Sequence, residues 1–260
     1  MNTTSELVFS SRSSDPHKII GADGREYGTG CLPRVSKPGE CENLFGRRRR
    51  TFPIWDPDVD AENCPLVDLA SIQTQEPTEW CEYEDLYQNG YPSCCLFSSG
   101  NGLQFFLTEN GRQQTPLDPH KAWIECTGGR GGYEIDRALT YMSQKGFPCK
   151  DGSRIFIKEA WDCPTAHAVV SARARGHFVV YGRFIPGGHA ECGVWLKRVG
   201  PKPKDLVQVC RGSYGRDTGT RGYYDVSYAS LEQGVPSFGA FAIRELAIRP
   251  ADMEGIDDAQ

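Results

Sequence analysis

The sequence contains no run of the ~20 apolar residues that a membrane-spanning helix requires, and residues 1–21 lack the apolar stretch of a secretory signal. It also has little excess charge, because a net charge of −5 over 260 residues supplies no basic surface for general nucleic-acid binding. No two cysteines stand at the C-x-x-C spacing that is typical of structural zinc sites. We therefore expect a cytoplasmic protein that binds neither membranes nor nucleic acids.

What the sequence does contain is 11 cysteines, an odd number that leaves at least one thiol unpaired in any disulfide framework. Most of them are expected to be small buried side chains, and an odd count is compatible with one free reactive thiol. Hydrophobic residues make up 38% of the chain, which is enough for one domain of ordinary size with an appendage. The 29 glycines and 17 prolines indicate that much of the backbone runs in turns.

The first 65 residues differ in composition from the rest of the chain. Ser, Asn, Gly and Pro are frequent there, and prolines interrupt any regular element. We interpret residues 1–65 as an extended arm or pro-region that docks on the domain itself or on another chain, residues 66–250 as the compact domain and residues 251–260 as a tail. The basic run Arg47–Arg50 is compatible with a cleavage site, a nucleic-acid contact, an acidic docking patch or, most commonly, a solvated turn.

The order of the elements predicts the fold class. Apolar residues at helical spacing predict helices from Cys94 to Leu107 and from Tyr133 to Lys145. After Ala166 the pattern changes to short β-rich runs separated by turn residues. These runs are Val169-Val170, Phe178–Tyr181, Gly193–Leu196, Leu206–Val209 and Tyr223–Val226. Helices followed by strands predict an α+β domain with a predominantly antiparallel sheet.

Cys94 stands where a turn changes into a helix. Gly90 and Pro92 predict the turn, and Cys94 then opens the helix. The unpaired amides and the positive dipole end of a helix N-terminus favour a thiolate over a thiol at this position. The same amides can hold the oxyanion of a tetrahedral intermediate, and Gln88, six residues earlier, can supply a further neutral donor.

This segment resembles the papain-like cysteine peptidases. In that family a glutamine stands six residues before the catalytic cysteine, which opens the long central helix. Gln88, Cys94 and Phe97 match the motif. The resemblance implies that Cys94 is the nucleophile and that Gln88 contributes to the oxyanion hole. The sequence departs from the family at Cys95, where tryptophan is usual, and at Tyr91, where a disulfide cysteine is usual.

A second block of resemblance precedes the second predicted helix. A proline-flanked turn leads to Cys126, which is followed by the glycine pair Gly131 and Gly132 and then by Tyr133. In the family this glycine pair lets an extended substrate strand lie against the backbone, and the absence of side chains at these positions permits that approach. The resemblance implies a substrate-binding role for both glycines and a family bridge between Cys126 and Cys149.

The general base has to come from one of five histidines. Four of them lie in the arm, in the proline-flanked turn or beside apolar runs: His17, His120, His167 and His177. His189 instead follows two glycines and enters a strand-like run, which is how the family presents its catalytic imidazole. We therefore predict that His189 takes the proton of Cys94 and forms a thiolate–imidazolium pair with it.

The segment around Gly212 resembles the Asn-Ser-Trp-Gly segment of the family, with Gly212 in place of the asparagine that orients the imidazole. In an active enzyme another group, such as Asp217 or a backbone carbonyl, then has to hold His189. Cys94 and His189 are 95 residues apart, whereas ~130–150 residues are usual in the family. This spacing predicts a compact domain with shortened loops.

Three functions are compatible with these residues. The first is a cysteine peptidase that acts on a polypeptide through an acyl-enzyme on Cys94, with no metal or organic cofactor. The second is a catalytically impaired papain-fold protein that serves as a binding or structural module in a larger assembly, which Gly212 and the long arm favour. The third is a metal site formed by His189, Cys192 and Cys210, for which no fourth ligand is identifiable.

Overall fold

The computed structural model describes residues 9–12, 18–21, 26–28, 30–34, 40–41, 50–75, 88, 90–109, 116–185 and 188–251. His17, Arg47–Arg49, Gly187 and the tail from residue 252 lie outside the described residues. The N-terminal part contains short strands: β1 Phe9–Arg12, β2 Lys18–Gly21, β3 Glu26–Gly28, β4 Glu40–Cys41 and β5 Arg50–Thr51. Strands β1, β2 and β3 form one antiparallel sheet, and β4 pairs with β5.

The helices of the described chain begin at residues that favour helix starts. After a short 3₁₀ helix at Leu69–Ser71 come α1 Cys94–Glu109, α2 Pro119–Thr127, α3 Ile135–Gln144, α4 Ala166–Ala174 and α5 Tyr228–Phe238. Asp118, Thr165 and Ser227 cap α2, α4 and α5 by accepting hydrogen bonds from backbone amides of the first turn. Within the described residues, no helix combines the length and the apolar character that crossing a membrane requires.

The main sheet has seven strands, and every neighbouring pair in it is antiparallel. The strands are β6 Phe147–Pro148, β7 Arg154–Asp162, β8 Phe178–Arg183, β9 His189–Arg198, β10 Leu206–Arg211, β11 Tyr223–Ser227 and β12 Ala240–Arg249. Their order in the sheet is β11-β10-β9-β8-β12-β7-β6. The predicted α+β class with an antiparallel sheet is confirmed.

The local predictions hold for α1, α3 and the strands from β8 to β11, but the strand predicted at Val169-Val170 is wrong. These valines lie in α4, which Thr165 caps and which contains four alanines. Because alanine has the highest helix propensity and the cap satisfies a free amide, the helix prevails over the local β propensity of two valines. The proline-flanked turn also continues into a helix, α2, since Pro119 suits the first helical turn.

The main sheet buries side chains on both faces. Along β8 and β12 successive residues alternate between two hydrophobic cores, so that Val180 and Phe241 join one core while Val179 and Ala242 join the other. The first core contains most of the apolar side chains of α1 and α3, and the second contains apolar side chains of α4 and α5. The sheet is therefore covered by helices on both sides, and α1 lies buried against the face that carries Val180.

Residues 52–55 of the arm contribute side chains to both cores. Phe52 packs edge-on against Phe241 with ring centroids 5.6 Å apart, and Trp55 packs edge-on against Trp161 at 6.4 Å. The backbone is fixed as well, because Trp55 N donates to the Asp162 carbonyl at 2.7 Å. This part of the arm is thus packed on the domain, and the boundary after residue 65 stays a prediction.

Arg34 joins the arm to the domain through a buried ion pair. Its guanidinium donates two hydrogen bonds to the Asp162 carboxylate, at 3.0 and 2.6 Å. The two side chains are only 6% and 0% exposed. We expect Arg34→Met to lower the free energy of unfolding by about 3–5 kcal/mol, because a buried carboxylate then loses its cationic partner. Urea unfolding measures this change.

The exposed pair Lys204–Glu232 provides the matched control. Its atoms approach to 2.6 Å, but the side chains are 61% and 44% exposed. Solvent screens such a pair, so Lys204→Met should leave the unfolding midpoint unchanged. Equal effects of the two substitutions would show that Arg34 does not anchor the arm.

Candidate active site

Cys94 is the first residue of α1 and is fully buried. The Ser93 carbonyl accepts hydrogen bonds from the amides of Leu96 and Phe97, at 3.0 and 3.1 Å, and so starts the helix. The amides of Cys94 and Cys95 lie N-terminal to the two amides that make these first helical hydrogen bonds. Cys94 therefore occupies the helix N-terminus predicted from the sequence, where the dipole favours a negative charge.

His189 is the first residue of β9, is fully buried and lies next to Cys94. Its ring stacks on the ring of Tyr214, with centroids 4.5 Å apart and an interplanar angle of 13°. Among the described residues, no oxygen or nitrogen atom is hydrogen-bonded to either ring nitrogen. The Cys94 thiol lies beside the imidazole and interacts with it electrostatically.

The pKa of Cys94 is held well below its ordinary value. Burial alone would raise it, but a hydrogen bond with Cys95, the positive charge of His189, a hydrogen bond with His189 and the backbone amide of Ala190 together outweigh the burial. The site thus favours a thiolate at Cys94.

The other described thiols behave in the opposite way. Burial and the neighbouring thiols raise the pKa of Cys95 well above its ordinary value, and burial raises that of Cys31. Burial also raises the pKa of Cys64 to about 11 and that of Cys126 and Cys192 to about 12. Of the cysteines whose side chains the structure describes, Cys94 alone has a lowered pKa, which makes it the thiol expected to react first.

Gln88 lies buried beside the turn that leads to Cys94. Its side-chain Nε2 donates to the Tyr91 carbonyl at 2.7 Å, and its Oε1 accepts a hydrogen bond from the Ser213 hydroxyl. Its backbone amide also donates to the Ser213 carbonyl at 3.0 Å. Gln88 therefore has a fixed orientation and links the start of α1 to the segment that carries Tyr214.

The backbone beside the glycine pair is paired with the protein's own arm. Tyr133 N donates to the Gly30 carbonyl at 2.8 Å, and Leu32 N donates to the Tyr133 carbonyl at 3.1 Å, which forms a parallel bridge between Cys31 and Tyr133. A Cβ on Gly132 would collide with the Gly30 carbonyl. The close approach at Gly132 is made by residues 30–32, whereas a Cβ on Gly131 would meet nothing within 4 Å, and a substrate-binding role for the two glycines stays a prediction.

The same segment contacts the wall that carries the imidazole. The Gly188 carbonyl accepts hydrogen bonds from the amides of Gly30 and Cys31, at 3.1 and 3.3 Å. A Cβ on Gly188 would collide with the Cys31 carbonyl. Residues 30–32 therefore span the space between Gly132 and Gly188, which we call the cleft, and Cys31 joins the buried cluster that contains Cys94. This placement cannot be predicted from the sequence, because the segment has neither helical nor strand periodicity.

The position of Gly212 is closed to a larger side chain. A Cβ there would collide with the ring of Tyr224, whose hydroxyl donates to Glu191 Oε1 at 3.1 Å. Asp217, the carboxylate considered as an alternative partner for the imidazole, is exposed. The described ring that stacks on His189 is that of Tyr214.

We expect Gly212→Ala to lower the free energy of unfolding by about 1–3 kcal/mol, because overpacking forces the Tyr224 ring to move. Gly102→Ala is the matched control. Its added Cβ would lie 3.4 Å from Cys192 Sγ, at ordinary contact distance, and alanine is a better helix former than glycine by about 1 kcal/mol. Urea unfolding should separate the two variants, and a neutral Gly212→Ala would show that Tyr224 does not fill this space.

The remaining described histidines have the contacts of packing residues. His120 lies 5.1 Å from the Tyr91 ring and 5.5 Å from the Trp123 ring, and His167 Nε2 contacts the Val67 carbonyl at 2.7 Å. Burial lowers the pKa of His177 to about 4. None of the three has a described contact with Cys94.

The metal and disulfide alternatives find no support in the described residues. No group of three or more His, Cys, Asp or Glu side chains in that part of the chain could hold a metal ion, so His189, Cys192 and Cys210 do not form such a group. Cys126 and Cys149 are both free thiols, so the family bridge is not formed.

No protein-family model and no curated protein matches this sequence. Solved structures do match its fold. Xylellain, a cysteine protease from Xylella fastidiosa, has a TM-score of 0.57 and 13% identity over 83% of this chain and 95% of its own. The Amb a 11 cysteine protease of ragweed pollen, in its proform, has a TM-score of 0.54 and 17% identity over 82% of this chain and 66% of its own.

The clostridial cysteine protease Cwp84 has a TM-score of 0.54 and 12% identity, and it matches 64% of this chain. This chain spans 55% of the Cwp84 chain, or about half of its length. The chain therefore has the papain-like fold.

Proposed function

We propose that the protein is a papain-like cysteine peptidase that hydrolyses peptide bonds through an acyl-enzyme on Cys94. The observation that carries this proposal is the lowered pKa of Cys94, which arises from a hydrogen bond with Cys95 and from the positive charge of the adjacent His189. A structural cysteine in an apolar core would instead have a raised pKa, as the other described thiols do. The fold shared with cysteine proteases supports the same reaction class.

In the proposed reaction the Cys94 thiolate attacks the carbonyl carbon of an extended peptide. The Cys94 backbone amide and the Gln88 side chain donate hydrogen bonds to the developing oxyanion. The His189 imidazolium gives its proton to the departing amine, which leaves a thioester on Cys94. His189 then deprotonates a water molecule that hydrolyses the thioester, and the Cys94 thiolate returns as the leaving group.

The cleft supplies backbone groups for such a peptide. The Tyr133 amide and carbonyl and the Gly188 carbonyl bind residues 30–32 in this structure. A substrate strand beside Gly131 and Gly132 would use the same groups. Substrate and arm therefore compete for one binding surface, and the structure corresponds to a latent form of the proposed enzyme.

The second candidate is a papain-fold binding or structural module without catalysis. It is favoured by Gly212, since the imidazole lacks an asparagine partner and Tyr224 fills that space. It is also compatible with an arm that occupies the cleft permanently. The two candidates differ in one respect, because only the first predicts peptide hydrolysis once the arm has left the cleft.

A peptidyl electrophile directed at thiols tests the proposal. The chain is made with a site-specific protease sequence between residues 45 and 46, so that the arm can be cut while Phe52 and Trp55 stay in the cores. After cutting and removal of the released arm by gel filtration, we expect stoichiometric labelling of Cys94 and turnover of a peptide substrate, both absent from Cys94→Ala. Indifferent labelling of many cysteines would contradict the proposal, and labelling without turnover would favour the binding module.

A further inference from the structure

Cys31 is the arm residue that enters the cleft. It is 1% exposed and belongs to the same buried cluster as Cys94 and Cys95. Its backbone is held on both sides, by Gly188 on one wall and by the bridge to Tyr133 on the other. The arm thus places a thiol near the N-terminus of α1. The peptidase reaction proposed above does not involve this thiol.

Three thiols meet at this point. The Cys95 Sγ donates to the Tyr133 carbonyl at 2.9 Å, the same carbonyl that accepts the amide of Leu32 in the arm. The Cys31 Sγ donates to the Leu32 carbonyl at 3.9 Å, and the thiol lies close enough to Cys95 and Cys94 to interact with both. No disulfide joins any of the three, so the pair Cys31 and Cys94 is reduced and available.

We propose that Cys31 is a resolving thiol, which forms a disulfide with Cys94 under oxidising conditions and so locks residues 30–34 across the cleft until the bond is reduced. The oxidant is a hydroperoxide, with hydrogen peroxide as the simplest case. The lock closes the cleft covalently and protects the nucleophile from further oxidation. The inference rests on the Cys94 thiolate of the proposed function, but it requires no peptide hydrolysis.

The reaction balances in two steps. The Cys94 thiolate attacks one oxygen of hydrogen peroxide, the O–O bond breaks, and the products are a sulfenic acid on Cys94 and hydroxide. The Cys31 thiol then attacks the sulfenic sulfur, its proton leaves with the hydroxyl group as water, and the S–S bond forms. The two thiols lose two electrons in total, and the peroxide gains them. An external dithiol reverses the change by thiol–disulfide exchange.

Cys31 is better placed than Cys95 to resolve Cys94. Cys94 and Cys95 are adjacent in the first turn of α1, and their thiols are hydrogen-bonded to each other. A bond between them would have to close a strained ring over a single peptide unit. Cys31 belongs to a separate segment and is delivered to the same point by its own backbone hydrogen bonds. The other described cysteines belong to other parts of the structure.

The test uses the full chain and maps its disulfides. Reduced protein receives hydrogen peroxide, free thiols are blocked, and peptides are identified by mass spectrometry before and after reduction. We expect a linked pair of peptides that contain Cys31 and Cys94, lost on treatment with dithiothreitol. Cys95→Ser should retain the linked pair. Cys31→Ser should lose it and raise irreversible sulfinic acid formation at Cys94 at least about tenfold for the same peroxide dose.

Two results of the disulfide mapping would overturn the inference. A bond from Cys31 to Cys95 would show that Cys94 is not the thiol that peroxide attacks. Equal sulfinic acid formation in the wild type and in Cys31→Ser would show that Cys31 does not resolve Cys94. Far-ultraviolet circular dichroism and urea unfolding verify that each variant is folded. A linked pair without peptide hydrolysis would leave the inference intact and reject only the proposed function, whereas hydrolysis without a linked pair would do the reverse.

Discussion

Release of residues 30–34 from the cleft is expected to raise the rate of alkylation of Cys94 by on the order of 100-fold. The segment is held by backbone hydrogen bonds to Gly188, Tyr133 and Ser237 and by the buried ion pair of Arg34. At ~1 kcal/mol for each hydrogen bond, opening costs about 3 kcal/mol or more. Because 1.4 kcal/mol corresponds to a factor of ten, Cys94 is accessible in fewer than about 1% of uncut molecules.

The measurement uses the protein with the inserted protease sequence. Its alkylation by iodoacetamide is followed by peptide mapping before cutting, and again after the released arm has been removed by gel filtration. The uncut protein with the same insertion is the control. Arg34→Met in the uncut chain should give an intermediate rate, since it weakens the anchor without removing the strand. Equal rates before and after removal would mean that the arm does not cover Cys94.

His189→Ala is expected to lower peptide hydrolysis by the arm-released protein at least about 1000-fold. Two losses combine in this variant. The positive charge and the hydrogen bond of His189 lower the pKa of Cys94, so their removal raises that pKa and reduces the thiolate population at neutral pH. The variant also lacks the acid that protonates the departing amine.

His120→Ala is the matched histidine control. His120 is exposed and packs beside Tyr91 and Trp123, and it has no described contact with Cys94. Its removal should leave kcat within about twofold of the wild type. Substantial hydrolysis by His189→Ala would assign the base to another group and would remove His189 from the mechanism.

The sequence could predict the start of α1 and the antiparallel sheet because both depend on local signals. Gly90 and Pro92 favour a turn just before Cys94, and apolar residues at helical spacing then continue the helix. β-Branched and aromatic runs likewise mark β8 to β11. The strand prediction at Val169 and Val170 is wrong because the surrounding alanines and the cap at Thr165 stabilise a helix there.

The contents of the cleft could not be predicted in the same way. Residues 30–32 bind through backbone atoms to two walls that are ~100–160 residues away in sequence, and such pairing leaves no periodic pattern in the arm. Cys31 is therefore indistinguishable in sequence from the other cysteines. The sequence shows that a side chain is missing at Gly212, where the family has asparagine. That Tyr224 fills the resulting space depends on how β10 and β11 pair.

The stacking of Tyr214 on His189 can be predicted from the sequence only in part. Tyr214 stands where the family has the aromatic residue of its Asn-Ser-Trp-Gly segment, so an aromatic ring near the imidazole could be expected from the resemblance. That the ring lies parallel to the imidazole, with no side-chain amide between them, appears only in the structure.

The account depends most directly on a thiolate at Cys94 that His189 stabilises. The decisive measurement is the rate of Cys94 alkylation by iodoacetamide as a function of pH, in the arm-released protein and in its His189→Ala variant. We predict a midpoint well below the ~8.5 of an ordinary cysteine, rapid reaction at about pH 6 where other thiols are inert, and an upward shift of the midpoint in His189→Ala. A midpoint at or above that of an ordinary cysteine, or one that is unchanged in His189→Ala, would contradict the account.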